Sequence, residues 1–265
     1  MLGKNGEILD VKFPLNNGQR YWSIHYLYVL NIFKHLKYNI SFRDMTDRGN
    51  AFIVELNGKE FLFDYADTAD VAQTTLPVFK FHAEVGSLAY PFPPVSFYDW
   101  EKFEHLKKTI KYSTDNNLFS YRTIPYGNAR ERRSKVLAQL KSDMSETLLS
   151  GTVQQEQFFN EISKIRAYIH VPGHHNNMVD RSTIQMFALG CPVITTYIPD
   201  LLPYGNTWDN CYIPCMDDYI DLVARAKTAK SDHLIVISER AKTQFDNFCT
   251  PKAIDKYLQE IICGI

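Results

Sequence analysis

The sequence lacks the features that mark several specialised classes of protein. Its five cysteines are scattered, and a chain of 265 residues can bury a core without disulfide bonds. The longest apolar run, from Tyr26 to Phe33, is interrupted by Asn31 and is far shorter than the ~20 residues of a membrane span. The net charge of −1 argues against broad, non-specific binding of nucleic acid. We therefore expect a soluble protein, with no membrane span, from a reducing compartment.

Signals for metal binding and for export are also missing. Cys211 and Cys215 are close in sequence, but no CxxC pair and no histidine at ligand spacing accompanies them, so we expect no zinc site. The N-terminal stretch MLGKNGEILDVKF contains no apolar core of the kind that signal peptides have. These absences favour a cytoplasmic protein without a structural metal ion.

The first half of the chain combines strand, helix and hairpin signals. A strand-like segment over 8–13 precedes turn residues and an apolar periodicity typical of a helix over 21–36. The dipeptide Asn57-Gly58 separates two strand-like runs, which predicts a β-hairpin with a type I′ turn. A further strand is predicted over 78–82. The proline-rich loop 91–94 follows, and we expect it to face a substrate or another domain.

The second half alternates helices and strands. Helices predicted over 129–141 and 158–165 precede a strand over 166–171. A further helix, ending at Gly190, leads to a second strand over 192–196. Such strand–helix–strand units build parallel sheets. We therefore expect an α/β protein of two layers, with a parallel sheet in this half.

We expect these halves to be two domains, 1–115 and 116–265. In an open parallel sheet, ligands bind outside the carboxyl ends of the strands. The loop 172–182 has this position in the second domain, and its Gly173 admits a ligand to the backbone. The helix that follows offers N–H groups that suit a phosphate, and Arg181 adds positive charge.

A second loop in the same position, 195–199, begins with Thr195 and Thr196, whose hydroxyls can bond a sugar or phosphate. The pair His174-His175 invites a metal interpretation, but no carboxylate or cysteine stands at ligand spacing. A phosphate or sugar contact, an ordinary loop and a metal site are the interpretations left open for this pair.

Several of these residues belong to a family pattern. The segment DRSTIQMFALGCPVI (180–194), followed by Leu202-Pro203, resembles the donor-binding segment of GT-B glycosyltransferases, and the exostosin-like pattern in particular. Arg122, Gly127 and the basic helix that starts at Arg130 are similar to the segment that these enzymes place near the donor diphosphate. The resemblance covers about residues 118–225 of the chain.

The resemblance implies a compact GT-B-like fold, in which two Rossmann-like domains face a cleft and the C-terminal domain holds the nucleotide. In the basic helix it favours Arg133 and Lys135 for the donor, with Arg132 exposed. Many GT-B enzymes have a ribose-contacting Glu where this chain has Gln185, so we expect Asp180 to supply that contact. The candidate donor-binding residues are Arg122, Gly127, Arg133, Lys135, Gly173, His174, His175, Asp180, Arg181, Ser182, Gln185, Thr195 and Thr196.

The implied activity is transfer of a sugar from a nucleotide-diphosphate sugar, with UDP the default nucleotide. The acceptor hydroxyl belongs to a growing glycan or to a hydroxymethylated pyrimidine in viral DNA. No Asp-X-Asp metal motif stands at a strand end, so we expect a metal-independent enzyme with no cofactor besides the nucleotide sugar. Candidates for the base that deprotonates the acceptor are His25, Asp64, Asp67 and His82.

Other interpretations remain open. The segment GCPVI (190–194) also suits a core strand of any α/β fold, and the basic helix also suits a solvated face. Because this chain has Gln185 in place of the ribose-contacting Glu, one alternative is a non-catalytic relative of GT-B enzymes that binds a nucleotide sugar or a carbohydrate. An unrelated nucleotide-binding α/β enzyme is the third possibility. A small enzyme without an export signal suits a bacterium or a virus. If the enzyme is viral, we expect it in the cytoplasm of the host.

Overall fold

The computed structural model describes residues 10–15, 24–44, 50–66, 71, 73–81, 83, 87–125, 127–173, 180–198, 201–202 and 205–264. They form an α/β protein with a six-stranded mixed sheet, a five-stranded parallel sheet and a two-stranded antiparallel sheet. The strands of the described residues are β1 (Val11–Pro14), β2 (Ile40–Arg43), β3 (Ala51–Leu56), β4 (Lys59–Asp64), β5 (Val78–Lys80), β6 (Tyr90–Pro91), β7 (Leu118–Tyr121), β8 (Leu148–Ser150), β9 (Ile165–Ile169), β10 (Val193–Thr195), β11 (Leu201–Leu202), β12 (Asn206–Thr207) and β13 (Ile213–Pro214).

The helices of the same residues are α1 (Ile24–His35), α2 (Trp100–Thr109), α3 (Arg130–Met144), α4 (Gln155–Glu161), α5 (Arg181–Ala188), α6 (Leu222–Thr228), α7 (Ser231–Phe248) and α8 (Pro251–Gly264). None of them is both long enough and apolar enough to cross a membrane.

The chain divides into two compact units, each built from several segments. The first contains Met1–Trp100, Asp200–Thr207 and Asn247–Ile265, and the second contains Glu101–Pro199 and Trp208–Asp246. The compact units therefore differ from a simple division into sequential halves, because α8 belongs to the same unit as β1 to β6.

The first unit is built on a six-stranded sheet in the order β2-β1-β3-β4-β5-β6. Only β3 runs antiparallel to its neighbours, so the other five strands end at the same edge. The predicted hairpin is confirmed: β3 and β4 pair with Leu56 opposite Lys59, and Asn57 and Gly58 have φ values of 53° and 82°. Both values are those of the left-handed turn that the sequence predicted.

The proline-rich loop of the first unit is mostly buried, contrary to the expectation that it faces a substrate; the alternative, that it faces another domain, stays a prediction. Phe92 is 1% exposed, and its ring lies 5.2 Å from that of Phe63 and 5.0 Å from that of Phe81, centroid to centroid. Tyr257 of α8 reaches the same cluster, 6.2 Å from the ring of Phe79. Burying these aromatic rings removes apolar surface from water, which is favourable. This explains why the loop packs inward.

The second unit is built on a five-stranded, fully parallel sheet in the order β13-β10-β9-β7-β8. The predicted parallel sheet and the helix stop at Gly190 are both confirmed, the glycine having a φ of 73°. The helix predicted over 158–165 is wrong in position, because α4 ends at Glu161 and β9 already begins at Ile165. Neither β7 nor β8 was predicted, since each is a short strand without a strong periodicity.

The strand order of the second unit reverses beside β7. The chain passes from β7 to its neighbour β8, and then returns to the other side of β7 to form β9, β10 and β13. In open α/β sheets the crevice outside the carboxyl ends of the strands at such a reversal is the usual place of a ligand. The topology therefore indicates a ligand site at the carboxyl ends of β7 and β9.

Candidate functional site

A cavity of about 670 Å³ lies at that reversal, wholly within the second unit. It is bordered by the residues that follow β7, β8 and β9, and by the first turn of α5. The side chains used below are Arg122, Thr123, Arg133, Phe158, Tyr168, His170, Asp180, Arg181, Ser182 and Gln185. Its volume is in the range of small-molecule sites in proteins, roughly 300–1,000 Å³.

The first turn of α5 supplies one wall of the cavity. Asp180 stands at the N-cap position with φ −61° and ψ 149°, but its side chain makes no capping hydrogen bond. Its Oδ2 lies instead 2.9 Å from Nε2 of His170 and 3.7 Å from a terminal nitrogen of Arg133. The first N–H groups of a helix have no partner within the helix, and they carry the positive end of its dipole.

Arg133 is a buried cation beside this helix start. It is 3% exposed, and its guanidinium donates to the carbonyls of Val171, at 3.1 Å, and of Ile124, at 2.9 Å. These two carbonyls belong to the segments that follow β9 and β7. Arg133 therefore joins the two strand ends that form the reversal, and it keeps its charge at the cavity wall.

Arg122 lies at the cavity as expected, but it is engaged within the protein. It forms an ion pair with Glu161 and donates to the carbonyls of Ser150 and Gly151. Because its charge is compensated by a buried carboxylate, Arg122 acts mainly as a clamp between the ends of β7, β8 and α4.

Arg132 was expected to be exposed, and the structure shows otherwise. Its Nη2 donates to the carbonyls of Pro172, at 2.8 Å, and Gly173, at 2.7 Å.

A Cβ at Gly173 would lie 3.6 Å from a nitrogen of Arg133, which is ordinary van der Waals contact. The space around this residue does not by itself require glycine.

Hydroxyl groups form another part of the cavity lining. Burial raises the pKa of Tyr168 to about 12. Hydrogen bonds with the hydroxyls of Ser182 and Thr123 lower this pKa and so offset part of the rise. The phenol therefore remains a neutral donor and acceptor at physiological pH. Gln185 is 3% exposed and also borders the cavity. This lining suits the hydroxyl groups of a ribose or sugar.

The structure thus brings six of the predicted donor-binding residues to one cavity: Arg122, Arg133, Asp180, Arg181, Ser182 and Gln185. Five others are not among its lining residues: Gly127, Lys135, Gly173, Thr195 and Thr196. Gly127 and Lys135 are exposed, the latter paired with Glu131 at 2.7 Å, whereas Thr195 and Thr196 are buried. His174 and His175 lie outside the described residues.

The candidate bases belong to the first unit. Asp64 is 2% exposed, and its Oδ2 lies 3.1 Å from Nζ of the fully buried Lys80. The ring of His25 stacks on that of Tyr65, with centroids 5.2 Å apart. Both candidates lie near the edge where β4 and β5 end. The other two, Asp67 and His82, lie outside the described residues.

Sequence reasoning missed His170, Tyr168 and Thr123. His170 directly follows β9 and is 2% exposed, and its polarity in the apolar run RAYIHV was the available signal. Within the described ranges, no three His, Cys, Asp or Glu side chains are grouped so that they could hold a metal ion. Comparison of the chain with protein-family models and with curated proteins finds no match.

Proposed function

We propose that the cavity binds the nucleoside diphosphate part of a nucleotide sugar, with UDP the default nucleotide. The protein is then a glycosyltransferase that transfers the sugar to a hydroxyl of a glycan or of a hydroxymethylated pyrimidine in viral DNA. On this proposal the two α/β units are the Rossmann-like domains of a compact GT-B-like enzyme. The enzyme works in the cytoplasm of a bacterium or of an infected host.

One observation carries the proposal: a helix start, a buried arginine and a second arginine border the same cavity at a reversal of strand order. The N–H groups at the start of α5 suit a phosphate. Arg133 is buried beside them, and Arg181 is the first residue of the helix. Charge-assisted hydrogen bonds from guanidinium groups to phosphate are among the stronger polar contacts in proteins.

The dimensions of the cavity suit more than a single phosphate. Adjacent strands of a sheet lie roughly 4.8 Å apart, so the ends of β9, β7 and β8 span about 10 Å. A diphosphate at α5 therefore leaves room for a ring elsewhere in the cavity, whose lining includes Phe158. Tyr168 and Ser182 belong to the same lining, and their hydroxyls suit a ribose.

The chemistry that this arrangement supports is departure of a diphosphate. Negative charge builds on the leaving group in the transition state, and fixed cations and helix N–H groups stabilise it. The nucleotide sugar is the co-substrate, and the proposal includes no resident cofactor or metal. Of the described base candidates, Asp64 is already bound by Lys80, so His25 is the better choice for the acceptor proton.

Turnover is the experiment that tests the proposal. Release of nucleoside diphosphate from UDP-, GDP- and dTDP-sugars is measured with and without a panel of hydroxyl acceptors. We expect release with one sugar nucleotide and a rate lowered at least tenfold in Arg181→Ala. Lys141→Ala is the matched control, because Lys141 is an exposed cation of α3 that does not border the cavity.

A non-catalytic nucleotide-sugar-binding protein is the second candidate. It is favoured by Gln185, a buried amide at the position where many GT-B enzymes have a carboxylate. Binding of a nucleotide sugar without turnover for any acceptor would support this candidate. Absence of both binding and turnover would contradict both candidates.

A further inference from the structure

His170 is a buried polar side chain whose ring makes no hydrogen bond within the part of the chain that the structure describes. Both ring nitrogens are buried, and neither has a hydrogen-bond partner there. Most buried polar side-chain atoms in proteins are hydrogen-bonded, because leaving one without a partner costs free energy. Since His170 borders the cavity, a ligand in the cavity is able to supply the missing partner.

The fold fixes the place of this imidazole. His170 directly follows β9, and its backbone N–H donates to the carbonyl of Ile194 in β10 at 3.0 Å. Its ring is stacked on that of Tyr168, with centroids 6.1 Å apart and planes 26° apart. A backbone bond to the neighbouring strand and a stacked ring thus hold the imidazole at the cavity wall.

A carboxylate stands beside the imidazole. Oδ2 of Asp180 lies 2.9 Å from Nε2 of His170, but this contact lacks the direction of a hydrogen bond. The side chain of Asp180 is 37% exposed, and a carboxylate can accept several hydrogen bonds at once. The cavity wall therefore presents an imidazole and a carboxylate acceptor next to each other.

A hydroxyl group matches this pair better than a phosphate does. A hydroxyl both donates and accepts, so it can donate to the carboxylate of Asp180 and accept from an N–H of the His170 ring. An ionised phosphate oxygen has no proton to donate, and the carboxylate repels its charge. The N–H groups at the start of α5 suit the phosphate instead.

We propose that His170 is a ligand-binding residue that, together with Asp180, binds a hydroxyl group of the ligand. The inference rests on the proposed function, since it concerns the same cavity, and it adds a hydroxyl subsite to the phosphate subsite at α5. The hydroxyl belongs to the ribose of the nucleotide or to the sugar that the nucleotide carries. A site that bonds a hydroxyl rejects an analogue without it, because its own polar groups are then left unpaired.

Calorimetric titration of the wild type and His170→Phe with three ligands tests the inference. Pyrophosphate has no sugar hydroxyl, UDP adds the ribose, and UDP-glucose adds a second sugar. The phenyl ring keeps an apolar stack on Tyr168 and removes both ring nitrogens. We expect His170→Phe to lower the affinity for UDP-glucose about tenfold and to change that for pyrophosphate less than about twofold.

The two sources of the hydroxyl give different patterns. If the ribose supplies it, UDP loses affinity as UDP-glucose does, and 2′-deoxy-UDP or 3′-deoxy-UDP binds the wild type about tenfold more weakly than UDP. The same deoxy analogue should bind His170→Phe as well as UDP does, because the bond is already lost. If the transferred sugar supplies the hydroxyl, only UDP-glucose loses affinity.

His170→Gln and His233→Phe complete the set of variants. The amide of His170→Gln both donates and accepts, so we expect it to retain most of the affinity for UDP-glucose. It also keeps the inference testable if His170→Phe folds poorly. His233 is an exposed histidine of α7 outside the cavity lining, so His233→Phe is the matched control and should leave all three affinities unchanged.

The results that would overturn the inference also separate it from the proposed function. Equal losses for pyrophosphate and UDP-glucose in His170→Phe would overturn it, because pyrophosphate offers no sugar hydroxyl. Unchanged affinity for all three ligands would overturn it too, and the proposed function would then stand on the binding of the wild type. A wild type that binds none of the three would contradict the proposed function, and this inference with it.

Discussion

Nε of Arg122 donates to Oε2 of Glu161 across 3.0 Å, and the pair is almost completely buried. The same carboxylate oxygen accepts from the hydroxyl of Ser120 at 3.1 Å. Arg122 was expected beside the donor diphosphate on the basis of the sequence. Its contact with Glu161 indicates that it also braces the cavity wall.

Removing the charge of Glu161 should therefore destabilise the protein strongly. Glu161→Gln leaves the guanidinium of Arg122 buried without its counter-charge, and we expect a loss of about 3 kcal/mol in the free energy of unfolding. The measurement is equilibrium unfolding in urea. Asp246→Asn is the matched control, because Asp246 pairs with Lys107 at the surface and should cost less than about 1 kcal/mol. Similar losses in the two variants would contradict this account.

The pair formed by Asp64 and Lys80 should behave as one unit. Lys80 has no exposed surface, so Lys80→Met leaves a buried, uncompensated carboxylate and should cost about 3 kcal/mol. Adding Asp64→Asn should restore most of the loss, because the double variant buries no net charge. Unfolding in urea measures both. Losses that simply add would show that the two side chains are energetically independent.

The cysteines should differ sharply in reactivity. Burial raises the pKa of Cys211 and Cys215 to about 12 and also raises that of Cys191, whereas Cys263 is exposed. Since the thiolate is the reactive form, an alkylating reagent at neutral pH should modify Cys263 alone in the native protein. Mass spectrometry after limited alkylation measures this, with the Cys263→Ser variant as the unreactive control. Rapid modification of a second cysteine would contradict the structure.

Stability should fall in alkaline solution. Burial raises the pKa of Tyr168 from 10.0 to about 12, so the folded state holds this proton more tightly than the unfolded state. The stabilising contribution is complete below pH 10 and is lost as the pH rises to about 12. Over that window the free energy of unfolding of the wild type should decline relative to Tyr168→Phe, by about 1 kcal/mol per pH unit. Parallel pH profiles of the two proteins would contradict the assigned burial.

Much of the fold could be predicted because it is encoded locally. The hairpin at Asn57-Gly58 and the helix stop at Gly190 depend on backbone conformations that few other residues adopt. The buried course of the loop 91–94 could not be predicted, because it depends on packing against Phe63 and Phe81. Local patterns do not report which face of a loop meets the core.

The candidate site was predictable only in part for the same reason. The residues from Asp180 to Gln185 follow one another at the start of α5, and they were singled out by the helix start and by the resemblance to the GT-B donor-binding segment. Arg122 and Glu161 are 39 residues apart in the sequence, so their pairing could not be foreseen. His170 was missed because its place at the cavity, with Nε2 2.9 Å from Oδ2 of Asp180, depends on how β9 and α5 pack together.

Binding of a nucleoside diphosphate at the start of α5 is the central claim. Thermal unfolding is measured with UDP, GDP, dTDP and CMP for the wild type, Arg181→Ala and the control Lys141→Ala. A nucleotide at roughly 100 times its Kd adds about 2.7 kcal/mol, which raises Tm by several degrees. The account predicts such a shift with one diphosphate, retained in Lys141→Ala and lost in Arg181→Ala. No shift with any nucleotide, or an equal shift in all three proteins, would contradict it.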